Sequence, residues 1–190
     1  NSATPPAATQ TSTVAPKDAP ITVTEHQSSG YRERTKHNAD SAGATVAIAL
    51  DFDTAGEKLT KNVAGSKYLA IKYGVEAAEA GKKLAEFMQR KGTTTLNIAG
   101  NGIYTLSKIP ELTQADVNNY IHAVIAAAHA LHPITKIVSG GQTGVDIAGA
   151  VAAKALGIPA VITLPKGYKQ RNANKDDVPH TKAEIEKQIT

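Results

Sequence analysis

The chain contains no cysteine and no tryptophan, and only 4% of its residues are aromatic. Without cysteine there is no thiol nucleophile, no zinc–thiolate site and no disulfide, and the redox compartment is left undetermined. With so few aromatics a core must be aliphatic and alanine-rich, and 41% apolar content over 190 residues suffices for one domain with a tail. No apolar run approaches the roughly 20 residues of a membrane span, so a soluble chain without a membrane partner is expected. The net charge is only +4, and its one local cluster is Lys166, Lys169 and Arg171. A stripe of basic side chains interleaved with stacking aromatics is missing, which argues against nucleic acid as a partner. The histidines, His26, His37, His122, His129, His132 and His180, include no i, i+4 pair of the helical metal-site kind. They read as surface or helix-end residues, and neither a metal nor a cofactor is expected.

What the chain does have is alternation of apolar runs with amphipathic segments. Thr45–Leu50, Lys67–Lys72, Thr94–Ala99, Thr135–Ser139 and Pro159–Leu164 are short runs bounded by breakers, as buried strands are. Between them the spacing predicts helices near 56–64, 76–90, 114–131 and 143–156, while Tyr31–Ser41 is polar and helix-permissive. Val117, Ile121, Val124, Ile125 and Ala128 share one face, and Thr113 with Asp116 resembles a capping pair. Gly157 and Pro159 close the last helix. Strands alternating with helices predict an α/β fold: a Rossmann-like three-layer sandwich with a mainly parallel five-stranded sheet.

Residues 1 to about 20 are rich in Ala, Thr, Pro and Ser, with too little apolar surface to offset ordering. The expected division is an extended arm over 1–30 and a globular domain over 31–190. Ile21–Thr24 alternates weakly and reads either as an edge strand or as more of the arm. A start at Asn1 instead of methionine reads either as a cleaved mature form, after removal of a leader or cleavage of a precursor as in some virion proteins, or as a fragment of a longer product.

The segment richest in chemistry is Lys136–Asp146, KIVSGGQTGVD, in which an apolar strand breaks at a glycine pair and restarts as a helix. Gly140, Gly141 and Gly144 can take positive φ and leave no Cβ in the way of a ligand, and helix N–H groups from about Thr143 point into the gap. The run is neither a Walker loop, since the lysine is absent, nor a G-x-G-x-x-G fingerprint. A bare strand-to-helix turn is the plain alternative, although Gln142 and Thr143 suit recognition better than turn formation. Asp146 in the first helical turn suits the helix dipole, or a ribose hydroxyl.

In a doubly wound sheet, ligands bind beyond the carboxyl ends of the strands. Four polar or glycine-rich loops follow strands here: Asp51–Glu57, Gly100–Gly102, Gly140–Asp146 and Pro165–Arg171. Each also has a structural reading. Thr54 with Glu57 fits a capping box, Gly100–Gly102 a plain turn, and Lys166–Arg171 a solvated cationic loop. Asp51, Asp53 and Glu57 supply carboxylates able to activate water, with Glu57 and Asp53 the catalytic candidates, but no nucleophile–base pair is fixed by spacing.

Ser139–Asp146, followed by a helix, Gly157–Pro159 and Pro165–Gly167, resembles the molybdenum-cofactor carrier family and its relatives in the SLOG superfamily. That superfamily also holds the lonely-guy cytokinin phosphoribohydrolases, the DNA-processing protein A fold and bacterial sensors of cyclic ADP-ribose signals. Tyr31–Asn38 (YRERTKHN), Ser41–Val46 (SAGATV), Thr54–Gly56 (TAG) and Leu96–Gly100 (LNIAG) resemble the family's Y-x-x-R-T-x-x-N, S-D-A-T, T-x-G-T and closing L-N-V-A-G segments. In common members the glycine-rich loop comes first. Here it comes last, so the chain resembles a circular permutant in which helix 114–131 joins the old end to the old beginning. Asn97–Leu106 and Pro165–Asn172 are also similar to domains of phage and mobile-element proteins, and the resemblance covers roughly 31–178.

The resemblance makes 31–190 a SLOG-like nucleotide-binding domain. It implies a nucleotide or phosphoribose ligand held by Gly140, Gly141, Gln142, Thr143 and Gly144, with Asp146, Thr54, Gly56, Lys166 and Gly167 around it. Arg34, Thr35 and Asn38 would be wall residues. The lonely-guy enzymes carry P-G-G-x-G-T-x-x-E where this chain has TAGEKLT over Thr54–Thr60, so their catalytic glutamate is not placed by register and Glu57 reads as displaced. The first expectation is a binding module that senses or sequesters such a ligand in a phage or mobile element. The alternatives are an N-glycosidic hydrolase of nucleoside monophosphates and a non-catalytic virion or surface protein whose arm binds neighbours. A homo-oligomer, virion-associated or in the host cytoplasm, is the expected setting.

Overall fold

The computed structural model describes residues 19–190. The arm's first 18 residues, and with them its expected contacts with neighbours, lie outside the described residues. The elements run β1 (Ile21–Glu25), α1 (Tyr31–Asp40), β2 (Ala44–Ala49), α2 (Ala55–Ala64), β3 (Tyr68–Lys72), α3 (Ala77–Lys91), β4 (Thr95–Gly100), α4 (Ile103–Leu106), α5 (Gln114–Leu131), β5 (Lys136–Ser139), α6 (Val145–Leu156), β6 (Ala160–Leu164), β7 (Gln170–Arg171), β8 (Asp177–Val178) and α7 (Lys182–Ile189).

Strands β1 to β6 form one sheet in the order β1-β6-β5-β4-β2-β3, and every pairing is parallel. The fold is the expected Rossmann-like α/β sandwich, with six strands in place of five. The extra strand is Ile21–Glu25, which pairs with β6 from Ile21 opposite Ala160 to Glu25 opposite Leu164. Of the two readings of that segment the edge strand holds, and Val23 is the one residue of it that is fully buried.

The chain moves across the sheet in one direction from β1 to β3 and in the other from β4 to β6. With right-handed crossovers this places α1 and α2 on one face and α3, α5 and α6 on the other. The strand order therefore reverses between the adjacent strands β2 and β4. Because all six strands are parallel, their carboxyl ends share one rim, and the reversal opens a crevice there.

The core is aliphatic, as the composition requires. All six residues of β2 are buried, and Phe87 is the one aromatic among the buried apolar side chains of the described residues. Gly81 lets α3 lie against α5, since a Cβ there would come within 2.9 Å of the Ala128 nitrogen and the Val124 oxygen. A complete capping box, Thr113 with Asp116, starts α5. Helix α6 begins at Val145, two residues later than its pattern suggests, because Gly144 at φ 90° still belongs to the turn. Helix α7 was not visible as a pattern because it buries only Ile185 and Ile189.

Candidate functional site

A cavity of about 610 Å³ lies beyond the carboxyl ends of β2, β4 and β5, where the strand order reverses. Helix α1 contributes Arg34, Thr35 and Asn38, and the start of α2 contributes Thr54, Gly56, Glu57 and Thr60. Asn101 follows β4, and Gly140, Gln142, Thr143 and Asp146 come from the glycine turn and α6. Three of the four loops singled out in the sequence meet on this wall, and the fourth reaches it through Arg171.

The glycine turn differs from the open cradle its sequence suggests. The Gly141 N–H donates to Ser139 Oγ at 3.2 Å, the Gly144 N–H to Gln114 Oε1 at 2.7 Å, and the Val145 N–H to the Asn101 carbonyl at 3.1 Å. Gly141 faces the side chains of Leu164 and Ile162, and Gly144 packs on Gly102. Neither lines the cavity. At Gly140 a Cβ would overlap Arg34 and fall 2.6 Å from Asp146 Oδ2. The turn is thus filled by a carboxylate of the protein itself: Asp146, buried, faces the N–H groups of Gln142 and Gly100 and lies 3.6 Å from Arg34 Nη1. Burial pushes its pKa up to about 6 against the pull of Arg34 and those two N–H groups. Burial likewise lowers the Arg34 pKa, which Asp146 partly restores.

Gln142 and Thr143 are committed elsewhere than expected. Gln142 Nε2 donates to the Lys169 carbonyl at 2.8 Å, its Oε1 accepts the Arg171 N–H at 3.0 Å, and the Thr143 hydroxyl donates to the Arg171 carbonyl. Gln170 Nε2 returns the contact by donating to the Gly141 carbonyl at 2.6 Å. These bonds fasten β7 to the turn and set Arg171 at the cavity. Lys166 and Gly167 do not reach it. Their N–H groups donate to the Ser28 carbonyl at 3.0 Å and to Glu25 Oε1 at 2.7 Å, because the added strand β1 captures the start of this loop. Asp53 is exposed and off the wall, with its N–H donating to Asp51 Oδ1 at 2.8 Å.

Glu57 does line the cavity. Thr54 caps α2 by accepting the Glu57 N–H at 3.2 Å, but the Glu57 carboxyl does not turn back to complete the box. It points instead toward Asn101, whose Nδ2 lies 3.4 Å from Glu57 Oε2. Burial, with the nearby Asp146 carboxylate, raises the Glu57 pKa to about 8 against the pull of Asn101. Glu57 is therefore a protonated acid at neutral pH.

Asn101 was missed as more than a turn residue. Its Oδ1 accepts the Leu50 and Asp51 N–H groups at 2.7 and 2.9 Å, and its Nδ2 also donates to the Asp51 carbonyl at 2.9 Å. An Asn-Gly pair directly after a central strand was the signal available. Tyr31, Tyr104, Lys108 and Lys175 also line the cavity without having been singled out for it.

Among the described residues no group of three or more His, Asp or Glu side chains could hold a metal ion, and no helix is long and apolar enough to cross a membrane. A doubly wound sheet with a cavity at its point of reversal places the protein in the Rossmann-like class. The sequence pattern of the circularly permutated YpsA SLOG family matches residues 8–121, and the chain belongs to that family. No curated protein matches it. Membership sets the ligand class coarsely, as nucleotide-related small molecules in general. The matched segment includes Arg34, Glu57 and Asn101 and ends before the glycine turn.

Proposed function

We propose that the cavity binds a nucleotide or another phosphoribose-containing molecule. The supporting observation is that three residues lining it, Arg34, Asn38 and Glu57, each carry a buried side-chain atom without a partner, respectively Nε, Oδ1 and Oε1. Leaving such an atom unpaired costs about 1–3 kcal/mol, and three on one cavity suit a guest rich in donors and acceptors. A neutral carboxyl donates a hydrogen bond, Asn38 Oδ1 accepts one, and Arg34 Nε–H donates one. A ribose with its hydroxyls, or the edge of a base, has the matching groups. Sensing or sequestration of such a molecule needs no more than this. Calorimetry with AMP, ADP-ribose and cyclic ADP-ribose tests the reading. Saturable binding of at least one supports it, and absence of heat with all three at millimolar concentration defeats it.

One observation favours a second reading, hydrolysis of the N-glycosidic bond of a nucleoside monophosphate. An acid held protonated to about pH 8 is suited to deliver a proton to the base nitrogen as its bond to the anomeric carbon breaks, water adding to that carbon and returning its proton to the carboxylate. Glu57 would be the donor; Asp53, exposed and off the wall, is not placed for the task. Release of free base from AMP that is lost in Glu57→Gln supports this. A wild-type protein that binds AMP but releases no base leaves the binding reading alone.

A further inference from the structure

The cavity is electrostatically polarised, and this bears on which end of a ligand goes where. Its four basic lining residues are Arg34, Lys108, Arg171 and Lys175, against the acids Glu57 and Asp146. In the depth the charges cancel: Arg34 is buried beside Asp146, and Glu57 keeps its proton. Lys108, Arg171 and Lys175 are exposed, so the positive excess is at the rim. Arg171 pairs with Asp177 at 2.8 Å, and Lys108 comes only within 4.0 Å of Asp51. Lys175 makes no ion pair among the described residues and lies 5.3 Å from the centre of the Tyr104 ring. The Tyr31 ring has Arg34, Lys169 and Arg171 within 5.6 Å of its centre. A strand-to-helix turn would ordinarily take the anion on its amides, but here Asp146 occupies that position, and a phosphate placed there would meet a carboxylate in a site shielded from water.

We infer that the anionic group of the ligand docks at the rim, against Arg171 and Lys175, and that its uncharged part enters the depth, against Glu57 and Asn38. This rests on the nucleotide reading and goes beyond it by assigning the ligand's orientation and the residues that select for phosphate. Gln142 and Thr143 then act as positioning residues, since they hold the Arg171 backbone. The rim charges are the exposed kind that salt screens, whereas contacts in the depth are not.

The test is calorimetry of the full chain with AMP and with adenosine, at low and high salt. AMP should bind about tenfold more tightly than adenosine, as one to two charge-assisted hydrogen bonds would give, and the gap should narrow as salt rises. Arg171→Gln with Lys175→Gln should weaken AMP about tenfold and leave adenosine unchanged. Lys175→Gln alone, which breaks no ion pair, should weaken AMP by a smaller factor, which guards against disturbance of the hairpin by loss of the Arg171–Asp177 pair. AMP affinity unchanged in both variants overturns the inference while the nucleotide reading stands. So does Asp146→Asn tightening AMP with the rim variants silent, because the phosphate would then lie in the turn. A wild-type chain that binds neither probe defeats both.

Discussion

Asn101 Nδ2 lies 3.4 Å from Glu57 Oε2, while the other carboxyl oxygen of Glu57 has no partner. One weak donor does not compensate for burial, so the folded protein keeps Glu57 protonated up to about pH 8, whereas an unperturbed glutamate releases its proton near 4.5. Between those values the folded state holds more protons than the unfolded one. The contribution to stability is complete below the lower value and is lost as pH rises through the higher one. Asp146, raised from 3.8 to about 6, acts in the same direction over a lower window. Glu57→Gln keeps the shape and removes the titration. Its melting temperature should exceed that of the wild type at alkaline pH by roughly 10 °C, with the difference vanishing near pH 4. Melting curves across that range check this, and parallel curves for the two proteins would refute it.

Asn101 itself joins three backbone groups of the β2–α2 loop to Glu57. Asn101→Ala leaves the Leu50 and Asp51 N–H groups and the Asp51 carbonyl without their partner. Since these are only partly buried, water recovers some of the loss, and about 2–3 kcal/mol of destabilisation is expected. Denaturant unfolding measures it. The same variant frees the loop that aims Glu57, so ligand affinity should fall with stability.

Arg34 and Asp146 form a buried pair, and its two single variants should differ from the double. Arg34→Met strands a carboxylate whose remaining donors are two backbone N–H groups, at a cost of about 3–5 kcal/mol. Asp146→Asn strands a guanidinium whose Nε already lacks a partner, with a similar penalty. The double variant removes both charges and should recover more than half of the summed loss in a double-mutant cycle by denaturant unfolding. Strict additivity would mean the two side chains are not coupled.

The layered fold was legible because a strand buried on both faces is a continuous apolar run. Thr45–Leu50 and Thr94–Ala99 are such runs, and breakers mark their ends. The cavity's position followed from parallel strands sharing one rim, which put Thr54, Glu57, Gly140 and Asp146 together. What stayed hidden is set by contacts distant in sequence. Gln114, Gln142 and Gln170 spend their amides on backbone groups 27 to 30 positions away, and a side-chain amide carries no local sign of its partner. Glu57 looked like half of a capping box because T-x-x-E describes that device. Its burial beside Asn101 and Asp146, both distant in sequence, sets its protonation. The choice between Lys166 and Arg171 was likewise invisible, since Gly167 at φ 89° and Tyr168 at φ 50° turn the loop between them.

Two glycines in helices separate packing from ligand space. At Gly81 an added methyl would overlap the Ala127 side chain and the α5 backbone. Backbone cannot move aside cheaply, so Gly81→Ala should destabilise by about 1–3 kcal/mol, although glycine-to-alanine changes in open helices usually gain up to about 1 kcal/mol. At Gly56, in the first turn of α2, a Cβ meets nothing within 4 Å. Gly56 is also among the residues that line the cavity. Gly56→Ala should therefore raise the melting temperature by roughly 1–3 °C while weakening AMP binding severalfold, because the methyl takes room the guest would use. Calorimetry and thermal unfolding on the same preparation read both effects. A variant that is stabilised and binds AMP as tightly as the wild type would show that the ligand does not approach the start of α2, and Glu57 would lose its place beside the ligand.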